Sequence, residues 1–141
     1  MTTLTQPTLV GALFALLVPL AITAAAATKD RIVGGKWESA MTTEGETHAV
    51  AYCISPAEAS SINGDSKTGR DFAEKKAGSR CGIKSYEITG DTVSYTLTCG
   101  TRTITDRTVF HGETSEGIKT ASNEGKTVTT SLKSRRVGVC P

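Results

Sequence analysis

The side chains with the most chemical potential in this chain are four cysteines, Cys53, Cys81, Cys99 and Cys140. Thiols hold metals, act as nucleophiles or pair as disulfides, and spacing decides between these roles. No Cys-x-x-Cys pair occurs, and no third ligand stands at a helpful spacing to His48 or His111, the two histidines. An even number of cysteines downstream of an apolar N-terminal stretch implies two disulfides formed in an oxidising compartment. Two other stretches resemble chemistry that the rest of the chain does not support. Arg31-Ile32-Val33-Gly34-Gly35 copies the activation junction of trypsin-like zymogens, and Gly64-Asp65-Ser66 copies a nucleophile triplet. Such an enzyme needs about twice this length, a histidine beside a buried aspartate and a glycine-rich oxyanion loop. Gly64 to Gly69, GDSKTG, lacks the Gly-Lys-Ser/Thr ending of a phosphate loop. The residues therefore predict no catalytic constellation, no metal site and no cofactor.

The elements that must position the cysteines are mostly strands. Cys81 to Cys99, CGIKSYEITGDTVSYTLTC, reads as one hairpin. Val93, Tyr95, Leu97 and Cys99 alternate with Thr92, Ser94, Thr96 and Thr98, the period of a half-buried strand. Gly90-Asp91 is a Gly-X turn of the kind that closes a two-residue hairpin. That turn pairs Ile88 with Val93 and Tyr86 with Tyr95. A regular ladder then sets Gly82, not Cys81, opposite Cys99, so a Cys81–Cys99 bond calls for a bulge, expected at Gly82. The remaining pair, Cys53–Cys140, would join the second strand to the C-terminus and close the sheet. The rival connectivity is Cys53–Cys81 with Cys99–Cys140.

Upstream, Trp37 to Thr43 and His48 to Ile54 are expected strands. Ser55-Pro56-Ala57-Glu58 then switches to helix, with Ser55 as N-cap, Pro56 at the first helical position and Glu58 closing a capping box. Asn63-Gly64-Asp65 stops that helix, and a second runs from about Arg70 to Ala77, with Gly78 beyond it. Downstream, Arg102 to His111 and Lys126 to Val139 are strands. Thr114 to Ser122 between them has Ile118 as its single strong apolar residue and reads as an edge strand. The fold class is mainly β: one antiparallel meander, strongly curved or a partial barrel, with a helical insert at about residues 55–78 and two disulfides.

The chain has 141 residues. Leu9 to Ala27 is almost wholly apolar and ends in an alanine run, so residues 1–27 read as a signal peptide cleaved after Ala27. Residues 28–141 then form one domain, and no stable membrane insertion is expected after cleavage. Only 35 of those 114 residues are apolar, which makes a thin core that disulfides would support. Sixteen basic against 14 acidic side chains give a net charge of +2, no basis for a nucleic-acid partner.

The order of features resembles a family of exported bacterial proteins, domain of unknown function 3617. The features are a Gly-x-Trp-Glu start (Gly35 to Glu38), a cysteine running into a Ser-Pro-x-Glu helix start (Cys53 to Glu58), the cysteine-bounded hairpin, and a Gly-x-Cys ending (Gly138 to Cys140). The resemblance implies a periplasmic or secreted protein of a Gram-negative bacterium and supplies no activity. The residues themselves point to a non-enzymatic binding or interaction module, with strand addition at Thr114–Ser122 as the mode of partner recognition. The alternative is a carrier of a small apolar ligand, in a cup lined by Trp37, Tyr86, Tyr95, Leu97 and Phe110.

Overall fold

The computed structural model describes residues 30–141. The expected signal peptide and its cleavage point at Ala27 lie outside the described residues. In chain order the elements are β1 (Gly35–Thr43), β2 (Glu46–Ile54), α1 (Pro56–Asn63), α2 (Ser66–Ala77), β3 (Cys81–Thr89), β4 (Thr92–Cys99), β5 (Arg102–Phe110), β6 (Thr114–Asn123) and β7 (Lys126–Gly138). All strands join one seven-stranded sheet in the order β2-β1-β7-β6-β5-β4-β3. Every pairing between these strands is antiparallel. The sheet is not closed, because β2 and β3 are not paired with each other.

This order corrects one expectation. The weakly patterned segment after Gly112 is not an edge. It is β6, paired on one side with β5 and on the other with β7. Backbone ladders need no apolar side chains, and here small ones are required. A Cβ at Gly117 would lie 2.8 Å from the Arg107 carbonyl oxygen and from Thr108 Oγ1 on the neighbouring strand. The edges are β2 and β3.

The β3–β4 hairpin has the expected turn and the expected apolar pairs, Ile88 with Val93 and Tyr86 with Tyr95. Gly90 opens the turn with φ 58°, a conformation glycine adopts without steric cost. Cys81 stands opposite Cys99, and a bulge makes this compatible with the pairing nearer the turn. The bulge lies between Ile83 and Ser85 rather than at Gly82. Cys81 and Cys99 form one disulfide across 4.2 Å between Cα atoms; Cys53 and Cys140 form the other across 5.7 Å. The second bond spans β1 and ties β2 to the end of β7, without closing the sheet.

The helices form as their caps dictate. The Ser55 hydroxyl accepts from the Glu58 N–H at 3.2 Å, and the Ser55 N–H donates to Glu58 Oε2 at 2.9 Å. Both halves of the capping box are therefore made, with Pro56 at the start of the helix. Helix α2 begins at Ser66, before the expected Arg70, because Asp65 accepts from the Thr68 N–H at 2.7 Å and caps it.

Residues 31–35, which imitate a zymogen junction, work as a strap between the helices and the sheet. The Arg31 guanidinium donates to the carbonyl of Ile62 at 3.0 Å and to that of Gly64, supporting the end of α1. Asn63 matches Ile32 as a strand would: its amide accepts from the Ile32 N–H at 2.9 Å and donates to the Ile32 carbonyl at 2.8 Å. On the other side Ile32 bridges Gly112. The core lies beneath this strap and gathers Ile32, Trp37, Ile54 and Ala59, with Ile62 and Phe110 packed against it.

Candidate functional site

Register sets which side chains face the helices. Opposed residues share a face, so Tyr86, Tyr95 and Asp106 align across β3, β4 and β5. Val93, Thr108 and Gly117 align likewise across β4, β5 and β6. Helices α1 and α2 do not fill the space above this face. A cavity of about 380 Å³ lies between α2 and strands β3 to β5, lined by Gly69, Phe72, Tyr86, Tyr95, Leu97 and Asp106 among others. A second of about 470 Å³ lies toward β1, β2, β6 and β7, lined by Ile32, Ser39, Tyr52, Ile54, Leu132 and Ser134 among others. Both touch Ile62, Phe72, Lys76, Thr108 and Phe110, so they are two halves of one slot.

Four of the five residues expected to line a cup, Tyr86, Tyr95, Leu97 and Phe110, line the first half. The fifth does not. Trp37 has no exposed surface and belongs to the core, where its indole N–H donates to the Val33 carbonyl at 3.0 Å. As the largest apolar body in a thin core, it is worth more as packing than as lining.

A lone carboxylate in a Thr-rich strand is ordinarily solvated, and Asp106 is not. Asp106 is 8% exposed and sits at the floor of the slot. Its parity with Ile104 and Phe110 in RTITDRTVF is the sequence signal that could have found it. Thr108 Oγ1 donates to Asp106 Oδ1 at 2.8 Å, and the Lys119 ammonium lies 3.6 Å from Oδ2. Burial, then the neighbouring Asp106 charge, pushes the Tyr95 hydroxyl well above the ordinary phenol range. Tyr86 is raised as well, chiefly by burial, and its ring lies parallel to that of Tyr95 with centroids 6.3 Å apart. Both tyrosines thus remain neutral hydrogen-bonding groups. In the other half, the Ser39 and Ser134 hydroxyls bond to each other. The slot has apolar walls and a polar floor.

Other sequence-level candidates are not gathered here. His48 is exposed, 3.8 Å from Glu46, and His111 is exposed after β5. Among the described residues, no three His, Cys, Asp or Glu side chains are grouped to hold a metal ion. No helix among them is long and apolar enough to cross a membrane. What the residues missed was the helical side of the slot. Gly69 is the telling position, because a Cβ there would run into the Tyr86 hydroxyl and ring. Glycine lets α2 settle directly against Tyr86 of β3.

The Lys76 ammonium pairs with the Glu58 carboxylate and links α2 to the first turn of α1. Lys76 and the Ser55 N–H hold the Glu58 carboxyl down at about 2, from an ordinary value of 4.5. A depressed carboxylate contributes stability fully above its unfolded pKa, and that contribution disappears as the pH falls from about 4.5 toward 2. Glu58→Gln retains the cap but removes the charge. The urea midpoint of the wild type should therefore fall more steeply over this window than that of the variant. Parallel curves would disprove the linkage. Lys76 is 61% exposed, so solvent screening limits the effect.

The model of the family described as "Protein of unknown function (DUF3617)" matches residues 32–140, from the strap to the last cysteine. No curated protein matches, and no solved structure does. The match spans the whole sheet, both disulfides and every residue of the slot, so the chain belongs to the DUF3617 family.

Proposed function

We propose that the protein is an exported binding domain rather than an enzyme. Its slot takes a small, mainly apolar ligand with one hydrogen-bond-donating or cationic end. The observation that carries this reading is the slot itself, with Phe72, Tyr86, Tyr95, Leu97 and Phe110 along its walls and the buried Asp106 carboxylate at its floor. Its halves, at about 380 and 470 Å³, fall within the usual range for small-molecule sites. The walls would take the ligand's apolar body, and Asp106 would fix its polar end by displacing Lys119 from its 3.6 Å contact. The apolar stretch ending at Ala27 and the two disulfides support the exported part of this reading.

Native mass spectrometry of protein purified from its own host without detergent tests the reading. The expected result is a species heavier than the disulfide-bonded chain by the mass of one ligand. Gly69→Ala should lower the loaded fraction severalfold. Its methyl group forces the Tyr86 ring into the slot or lifts α2 off it, at about 1–3 kcal/mol of overpacking against about 1 kcal/mol gained in helix propensity. Repeated preparations showing only the bare chain would sink the proposal.

A further inference from the structure

The two edges of the sheet differ. At β3 the edge is obstructed: the ladder bulges between Ile83 and Ser85, and Lys84 projects there. Helix α2 also packs against this strand, and the Arg70 guanidinium of α2 donates to the Ile83 carbonyl at 3.0 Å. Bulges, lysines and a covering helix are the devices that keep sheet edges from pairing. β2 has none of them. It runs for nine residues, Glu46 to Ile54, in unbroken register with β1 and contains neither proline nor lysine. All of it but Ile54 is exposed, including Val50 at 43% and Tyr52 at 40%. Its outer row of backbone N–H and C=O groups has no strand partner among the described residues.

We propose that β2 pairs antiparallel with β2 of a second copy of this chain, about a two-fold axis at Val50. The sequence ETHAVAYCI is close to self-complementary about that residue. Ala49 meets Ala51, His48 meets Tyr52, Thr47 meets Cys53 and Glu46 meets Ile54, so every residue of the strand finds a partner. No two like charges are opposed, because Glu46 is the strand's only acidic residue and it has no basic one. Directly opposed residues share a face, so Val50 and Tyr52 of both copies form one continuous apolar patch. Since the β3 edges are blocked, association stops at a closed dimer and does not extend into a fibre. A foreign strand would gain the backbone hydrogen bonds but not this matched set of side chains.

Sedimentation velocity on the disulfide-bonded protein, up to about 500 μM to catch a weak complex, tests the proposal. The expected result is a concentration-dependent dimer. Val50→Lys and Val50→Glu each set two like charges face to face across the axis, and each should raise the dissociation constant at least about tenfold. Val50 is exposed enough that the melting curves of both variants should match the wild type. An equimolar mixture of the two variants should recover the dimer. A monomeric wild type would overturn the proposal and leave the edge to a foreign strand. A dimer that neither variant weakens would overturn it by assigning association to another face. Failure of the mixture to recover would overturn it as well, because the loss would then come from damage to β2.

Discussion

Trp37→Ala should remove about 3–5 kcal/mol of stability, the range for emptying a fully buried large aromatic site. Such a loss matters more here than in an ordinary domain. The buried apolar side chains among the described residues are only Ile32, Trp37, Ile54, Ala59, Ile83 and Val93, and Trp37 alone among them is both large and fully buried. It also belongs to a cluster that joins layers, with Ile32 of the strap, Ile54 at the end of β2 and Ala59 of helix α1. With total stabilities of about 5–15 kcal/mol typical of single domains, the variant would lose about a fifth or more of its margin. Urea denaturation followed by circular dichroism measures this directly. Trp37→Phe should fall between the two. It keeps most of the ring but gives up the indole donor to the Val33 carbonyl, leaving that oxygen without this partner. A loss below about 1 kcal/mol for the alanine variant would contradict the packing described. Placement in the core makes a second demand: ligand entering the slot should leave the fluorescence of this single tryptophan nearly unchanged, since Trp37 lines neither half.

The parts of the fold that could be read in the sequence are those set by neighbours along the chain. Ser55, Pro56 and Glu58 specify a helix start within a few residues. Gly90-Asp91 fixes the β3–β4 register, and the alternation from Val93 to Cys99 fixes its inner face. Strand order is a different kind of fact. β1 lies beside β7, with register partners such as Ser39 and Ser134, and nothing local to either strand announces the other. β6 looked peripheral because it has few apolar residues. It sits at the centre of the sheet, where Gly117 is small enough to lie close against Thr108 of β5.

The slot divides along the same line. Tyr86, Tyr95, Leu97 and Phe110 follow from strand periodicity. Gly69, Phe72 and Lys76 do not, because they acquire meaning only once α2 is laid over β3. Asp106 lies between these cases. Its parity with Phe110 was readable, but an isolated carboxylate is usually a solvated one. Only the fold shows Thr108, Tyr95 and Lys119 around it.

Replacing Cys53 and Cys140 together by serine should cost more than replacing Cys81 and Cys99. The bond between Cys53 and Cys140 closes a span of 87 residues, that between Cys81 and Cys99 a span of 18. In the chain-entropy description the first restricts the unfolded chain by about 4–5 kcal/mol and the second by about 3 kcal/mol. The folded state widens the difference. Cys81 and Cys99 already face each other in a hairpin with a tight turn and an apolar face, so its ladder survives their loss. β2 has one strand partner and gives only Ile54 to the core, and its other anchor is the bond to Cys140. Without that bond, β2 and the start of α1 should open below the global unfolding transition, with fast hydrogen exchange there while β4 to β6 stay protected. Equal costs for the two double variants would mean that the reduced chain already holds β2 near its C-terminus. The test also reaches the proposed function, because Tyr52, Cys53 and Ile54 line the second half of the slot. A variant that folds but has lost this wall should lose its ligand first, at denaturant concentrations where the β3–β4 hairpin remains intact.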